Sequence, residues 1–102
     1  MSKIIACKTN ELESGNMKKV TIDGKEIVVA NVGGNYFACD DTCTHSGASL
    51  SEGTIDSSTI TCGWHGAQFN CTNGELEKFP ATINNLQSYN VTIESGDVFI
   101  ET

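Results

Sequence analysis

Two short blocks of the sequence, CTHSGASL and CGWHGAQF, each contain one cysteine and one histidine. The chain has only two histidines, and both lie in these blocks, as Cys43-Thr-His45 and Cys62-Gly-Trp-His65. Thiolates and imidazoles are side chains by which proteins hold zinc ions and iron–sulfur clusters. A chain that uses all four must fold so that two separate loops meet at one centre, and this requirement constrains its fold strongly.

The four side chains fit two kinds of metal centre. They can hold one zinc ion tetrahedrally, or a [2Fe–2S] cluster with both thiolates on one iron and both imidazoles on the other. Structural zinc sites usually pair like ligands within a loop, whereas here each loop is mixed. Apolar residues lie in and beside the blocks (Leu50, Trp64 and Phe69), and a dry environment tunes a redox centre. These features favour the cluster and leave a zinc-stapled β domain as the alternative.

The composition indicates one small acidic domain. The chain has 102 residues, with six basic and 13 acidic side chains and a net charge of −7. No cluster of lysines could follow a phosphate backbone, so nucleic acid is excluded as a partner. An acidic surface favours partner proteins with basic docking surfaces. Asp40 and Asp41, which precede the first block, are expected to be solvated loop carboxylates.

The N-terminal sequence and the cysteine count indicate a reducing compartment. MSKIIACKTN has too short an apolar stretch for a signal peptide, and no run reaches the ~18 apolar residues that span a bilayer. We therefore expect a cytoplasmic protein without a membrane partner. Five cysteines are an odd number, which argues against a disulfide framework. The three cysteines outside the blocks (Cys7, Cys39 and Cys71) are expected to be small buried thiols.

The pattern of apolar runs and turns predicts an all-β fold. Turn signals recur about every ten residues between β-branched runs, which is typical of a small antiparallel sandwich or barrel. A short helical turn within residues 11–19 is also expected, although Gly15 weakens it. The predicted hairpin turns lie at Asp23-Gly24, Gly33-Gly34, Asp56–Ser58, Asn73-Gly74 and Ser95-Gly96.

The order of these elements predicts a single domain, residues 1–102, with two parts. The two Cys/His blocks are separated by one predicted hairpin and followed by another, so about 40–76 is expected to form a compact cluster-binding subdomain. The strands on either side, in 1–39 and 77–102, are expected to form a basal β subdomain.

The pair CTH and CGWHG, at this interval, resembles the Rieske iron–sulfur signature C-x-H…C-x-x-H. The ending EKFPATINNLQSYNVTIESGDVFIET also resembles the Rieske tail, in which a proline loop, here around Pro80, packs beside the cluster. The resemblance implies a three-layered antiparallel β fold and one [2Fe–2S] cluster. It implies Cys43 and Cys62 as ligands of the inner iron, and His45 and His65 as ligands of the outer, solvent-facing iron.

The resemblance extends from about Val28 to Ile100, and its departures are informative. Rieske proteins of respiratory chains carry one further cysteine in each ligand loop, and the two form a disulfide; the matching residues here are Ala48 and Trp64. Those proteins also place serine and tyrosine hydroxyls where Ala67 and Phe69 stand. Because hydrogen-bond donors near sulfur stabilise the reduced cluster, their absence predicts a low potential, roughly −150 mV.

The resemblance and the ligand count together indicate a function. Both histidines are used by the cluster, so none remains for the mononuclear iron of a Rieske oxygenase, and no dinucleotide-binding fingerprint is present. The prediction is a stand-alone, low-potential Rieske-type ferredoxin, a monomer that carries one electron from a reductase to an oxygenase or another acceptor. It is an electron-transfer protein and not an enzyme. The alternative is a Rieske-like accessory or regulatory subunit, as in nitrite reductases, although such subunits often lack the ligands.

Overall fold

The fold consists almost entirely of β-strands. The computed structural model describes residues 3–42, 49–63, 66–78 and 85–101. Within these residues there are ten strands, two 3₁₀ turns and no α-helix. The strands are β1 (Lys3–Lys8), β2 (Met17–Ile22), β3 (Lys25–Val32), β4 (Asn35–Asp40), β5 (Thr54–Asp56), β6 (Thr59–Thr61), β7 (Gln68–Asn70), β8 (Leu76–Lys78), β9 (Ser88–Glu94) and β10 (Asp97–Glu101), and the 3₁₀ turns are Thr9–Glu11 and Leu50–Glu52.

The strands form two antiparallel sheets, which confirms the predicted all-β class. The larger sheet has six strands in the order β1-β10-β9-β4-β3-β2, and the smaller has four in the order β5-β6-β7-β8. The smaller sheet is formed by consecutive hairpins, whereas the larger one joins strands from the two ends of the chain. In the described ranges, no helix is long and apolar enough to cross a membrane.

Strand β3 is buried on both faces and separates two apolar cores. Ile27 and Val29 pack in one core with residues of β1, β4 and β10, whereas Val28 and Ala30 pack in the other with the small sheet. This arrangement explains why residues 27–30 of β3 are a continuous apolar run instead of an alternating one. The two cores, with the sheets around them, give the layered β architecture that the sequence predicted.

The predicted turns lie where glycine permits a positive φ. Asp23 and Gly24 have φ values of 52° and 80°, and Ser95 and Gly96 have 51° and 81°. Two successive residues with positive φ are typical of the tight turn that joins twisted antiparallel strands. These hairpins are therefore specified locally by the chain.

The expected helical turn within residues 11–19 is wrong. The 3₁₀ turn lies earlier, and β2 already begins at Met17. The reason is Asn31, a buried residue of β3. Its side-chain amide donates to the Leu12 carbonyl at 2.8 Å, and its backbone carbonyl accepts from the Gly15 N–H at 2.8 Å. The segment between is therefore held as an irregular loop by a residue distant in sequence.

Candidate iron–sulfur centre

The structure describes one of the four predicted ligands, Cys62. Cys62 follows β6 and is buried, with 2% of its surface exposed. Cys43, His45 and His65 lie outside the described residues, and so do Trp64 and Pro80. The geometry around the centre is therefore built from the chain that leads into and out of the two blocks.

The first block begins and ends at neighbouring positions. Thr42 and Ser49 form an isolated antiparallel bridge, and the Leu50 N–H donates to the Asp41 carbonyl at 2.7 Å. The described residues on either side of 43–48 are thus held together. A short loop closed in this way can present two side chains to one centre.

The second block is the tip of the β6–β7 hairpin. Thr61 pairs with Gln68, and the Cys62 N–H donates to the Ala67 carbonyl at 2.8 Å. Gly66 has a φ of 73°, a conformation that favours glycine. The pairing of the two chains therefore continues beyond β6 and β7 as far as Cys62 and Ala67, and His65 lies between these two residues in sequence.

The two blocks meet at Gly53. A Cβ atom built on Gly53 would lie 2.1 Å from the carbonyl oxygen of Thr61 and 3.2 Å from the Gly63 nitrogen. The backbone that leaves the first block therefore lies directly against the backbone that enters the second. The described residues that flank the two predicted ligand loops are therefore in contact, which is compatible with a shared centre.

Cys62 is part of a buried apolar core. Leu50, Ile60, Ala67 and Phe69 belong to the same core as Cys62 and are fully buried. A thiolate in such a dry environment is a suitable ligand for iron, and the low polarity disfavours water at the metal. The described residues therefore fit an iron–sulfur cluster held by thiolate on its inner side.

The three other cysteines are buried thiols, as the sequence predicted. Cys7, Cys39 and Cys71 are all buried and form no disulfide. Burial raises the pKa of Cys39 to about 12 and that of Cys71 to about 11, and it also raises the pKa of Cys7. All three therefore remain protonated at neutral pH and are poor metal ligands. Among the described side chains, no group of three or more is arranged to hold a metal ion.

Asp41 is a residue whose role the sequence did not indicate. The expectation of a solvated carboxylate is wrong, because Asp41 is fully buried. Its two carboxylate oxygens accept hydrogen bonds from the Ser51 N–H, at 2.8 Å, and from the Ser49 hydroxyl. Asp40 is partly buried and accepts at 2.6 Å from the hydroxyl of Tyr89, whose pKa is raised to about 12 by burial and by this bond. Two adjacent aspartates before a loop give no sequence signal for such burial.

The family of the chain follows from its comparison with known proteins. Residues 2–90 match the family model of the Rieske [2Fe-2S] domain. The chain belongs to this Rieske family. The cofactor of a Rieske domain is one [2Fe–2S] cluster, which agrees with the buried thiol of Cys62 described above. The predicted zinc alternative is not supported by this membership.

Several Rieske proteins are similar to this chain over nearly their whole length. Ferredoxin CarAc from Metapseudomonas resinovorans is 35% identical over 95 residues, which cover 92% of this chain and 88% of that protein. The 3-phenylpropionate/cinnamic acid dioxygenase ferredoxin subunit from Escherichia coli K12 is 36% identical, with 99% and 94% covered. A chain in the solved complex of reduced oxygenase and oxidized ferredoxin in carbazole 1,9a-dioxygenase superposes with a TM-score of 0.90, at 34% identity, with 96% and 91% covered.

Restoring hydroxyl groups in the second block of this Rieske protein is expected to raise its midpoint potential. Ala67 and Phe69 are fully buried and have no hydroxyl to donate. We expect Ala67→Ser and Phe69→Tyr each to raise the potential by roughly 40–60 mV, because a hydrogen bond contributes ~1–1.5 kcal/mol and 1.4 kcal/mol is about 59 mV for one electron. The measurement is a mediated redox titration.

A matched control separates a local donor from a general effect of polarity. Phe99→Tyr adds the same hydroxyl on β10, where Phe99 is partly exposed beside Lys3. We expect its potential to equal that of the native protein. Unchanged potentials in both buried variants, or a native potential well above zero at neutral pH, would contradict the low-potential interpretation.

Proposed function

We propose that the chain is a cytoplasmic, monomeric one-electron carrier that accepts an electron from a reductase and passes it to a terminal oxygenase. The observation that carries this proposal is the near-full-length match to proteins that are themselves named ferredoxins or ferredoxin subunits of a dioxygenase. A match to an oxygenase domain alone would have left the role of a separate carrier without support. In this function the protein is a component of an oxidoreductase system and does not itself convert a substrate.

The proposed ligands are Cys43 and Cys62 on one iron and His45 and His65 on the other. The cluster supplies reversible one-electron chemistry when it is bound. The role of this chain is to bind it, to cover its inner side with the apolar core around Cys62, and to leave its histidine side accessible to partners. We propose the part from about 40–76 as the cluster-binding subdomain and the remainder as its base.

The distribution of charge supports a basic partner. Residues 40–77 contain six acidic side chains and no lysine or arginine, so this part carries −6 of the net charge of −7. Four of these acids are exposed, namely Glu52, Asp56, Glu75 and Glu77. The lysines all lie elsewhere in the chain. The negative end of the molecule therefore coincides with the proposed cluster-binding part, and a partner with a basic surface would be steered towards that part.

The proposal is tested by spectroscopy and by electron transfer on the same preparation. The purified protein is expected to absorb in the visible range, and after dithionite reduction its EPR spectrum should show a two-histidine [2Fe–2S] centre. An oxygenase-system reductase with NADH should then reduce it, and the reduced protein should be reoxidised by the terminal oxygenase only when substrate and oxygen are present. The rate of reduction should fall as ionic strength rises, because exposed charges are screened.

The outcome decides between a carrier and an accessory subunit. A protein with the expected spectrum that neither accepts electrons from any oxygenase-system reductase nor donates them to an oxygenase would contradict the carrier function. A double charge reversal, Glu52→Lys with Glu75→Lys, should slow reduction at low salt and leave the EPR spectrum unchanged. The corresponding control, Glu94→Lys with Glu101→Lys on the base, should have a smaller effect on the rate.

A further inference from the structure

Asp41 is the residue at which the first ligand loop is closed. All of its hydrogen-bonding groups are used. Its N–H donates to the Glu26 carbonyl at 3.0 Å, and its carbonyl accepts from the Leu50 N–H at 2.7 Å. Its carboxylate accepts from the Ser51 N–H at 2.8 Å and from the Ser49 hydroxyl. One residue thus joins the base, the start of the loop and the end of the loop.

The burial of this carboxylate is unusual. Asp41 has no exposed surface, and a buried carboxylate is retained only where hydrogen bonds or a cation compensate its lost hydration. Across the described part of the chain, the lysines that form ion pairs are Lys3, Lys18 and Lys19, and none of them pairs with Asp41. The compensation therefore comes from the chain that follows the ligand loop, at Ser49 and Ser51.

The position of Asp41 links this closure to the cluster. It stands two residues before Cys43, so the two Cα atoms are at most ~7 Å apart. The segment between the two ends that Asp41 holds contains both Cys43 and His45. A change in how these ends meet will therefore move both proposed ligands of the first loop at once.

We propose that Asp41 is the positioning residue of the first ligand loop: it clamps the two ends of segment 43–48 and thereby sets the placement of the two ligands on that loop. The proposal rests on the proposed function, because it assumes that this loop holds the cluster. It concerns hydrogen bonding by the side chain and not a change in its protonation.

The test compares Asp41→Asn with Asp41→Ala, two variants that have the same charge. Asparagine retains an oxygen that can accept from the Ser51 N–H. Alanine removes both acceptors and, among the described residues, leaves the Ser49 hydroxyl only its 2.9 Å hydrogen bond with the Ser51 hydroxyl. We expect Asp41→Ala to lose its cluster to an iron chelator about tenfold faster than the native protein, since a hydrogen bond to a charged group usually changes an equilibrium by about that factor. The rate of cluster loss from Asp41→Asn should lie between those of the native protein and Asp41→Ala. The two variants should also differ from each other in reduced-state EPR spectrum and midpoint potential, which a charge effect alone would not produce.

The variant Asp40→Asn and one pair of serine variants serve as controls. Asp40→Asn makes the same charge change one residue earlier, where the carboxylate is bound by Tyr89, and its rate of cluster loss should stay within about twofold of native, as expected for a bond outside the loop closure. Ser49→Ala removes a donor to Asp41. Ser51→Ala retains the backbone N–H that donates to the Asp41 carboxylate. We therefore expect faster cluster loss in Ser49→Ala than in Ser51→Ala.

The results separate this proposal from the proposed function. If Asp41→Ala and Asp41→Asn match Asp40→Asn in cluster loss, EPR spectrum and potential, the positioning role is wrong. If Asp41→Ala does not fold, Asp41→Asn and the serine pair decide the question in the same way. If the native protein holds the cluster but exchanges no electrons with reductase or oxygenase, the carrier function fails, while the rates of cluster loss still decide the role of Asp41.

Discussion

Replacement of Cys62 by alanine is expected to give a colourless protein without bound iron. Cys62 is the proposed ligand whose surroundings the structure describes, and it is buried in the core that contains Leu50 and Phe69. No other described side chain is placed to replace Cys62 as a ligand, because the other described cysteines are buried and their thiol pKa values are raised. The expected loss of iron is therefore complete. It is measured as iron per chain and visible absorption after anaerobic purification and reconstitution.

Cys71→Ala is the matched control for this prediction. Cys71 belongs to the same core as Cys62 and is equally buried, but it lies beyond the second block, after β7. We expect this variant to retain a full cluster and to lose only ~1 kcal/mol in the free energy of unfolding, the usual cost of a small core substitution. A coloured Cys62→Ala protein, or a colourless Cys71→Ala protein, would mean that the ligand assignment is wrong.

The same experiment extends to the proposed ligands outside the described residues. Cys43→Ala should lose the cluster like Cys62→Ala. Replacement of His45 or His65 by cysteine should either abolish the cluster or shift its EPR spectrum towards that of an all-thiolate centre, because each histidine is proposed to bind the outer iron. A histidine variant with an unchanged spectrum would remove that residue from the ligand set.

Gly53→Ala is expected to lower the stability of the protein, because Gly53 lies between the two blocks, where the backbone of the two segments is in contact. The added methyl group would lie 2.1 Å from the Thr61 carbonyl oxygen, which is backbone and cannot rotate away. Forcing the two chains apart should cost about 1–3 kcal/mol in the free energy of unfolding. For a domain of this size that lowers the melting temperature by roughly 4–8 °C per kcal/mol. Cluster loss should accelerate as well, because the two ligand loops meet at this contact.

Gly63→Ala provides the comparison within the second block. Among the described residues, a Cβ on Gly63 would meet only the Gly53 Cα at 3.9 Å, an ordinary van der Waals contact, and neither glycine has a positive φ. We expect the free energy of unfolding of Gly63→Ala to lie within about 1 kcal/mol of that of the native protein, as for other tolerated substitutions. Equal melting temperatures for Gly53→Ala and Gly63→Ala would show that the backbone contact does not hold the loops together.

Local sequence signals predicted the hairpins and the two ligand blocks. Pairs such as Asp23-Gly24 and Ser95-Gly96 specify tight turns through their own backbone preferences, so no distant residue is needed to recognise them. The signature C-x-H…C-x-x-H is likewise a local pattern, and the family match confirms the fold class, the carrier type and the cofactor that it implied. The identity of the four ligands stays a prediction, since three of them lie outside the described residues.

Other features depend on residues that are distant in sequence. β1 was not predicted as a strand, and it pairs with β10 at the opposite end of the chain. The segment that was expected to form a helical turn is a loop, because the hydrogen bonds of the buried Asn31 to Leu12 and Gly15 compete with hydrogen bonds between local residues. A local pattern contains no information about such partners.

The sequence by itself determined the family signature, with one cysteine and one histidine in each of two blocks of an antiparallel β protein, and from this signature came the prediction of the four ligands. Ligand type and turn type follow from the side chains and the backbone preferences of a few adjacent residues. Only the tertiary structure decided how these loops are held. The contact of Gly53 with Thr61 and the burial of Asp41 under Ser49 and Ser51 arise when distant segments pack, and the free energy of that packing depends on all the partners together.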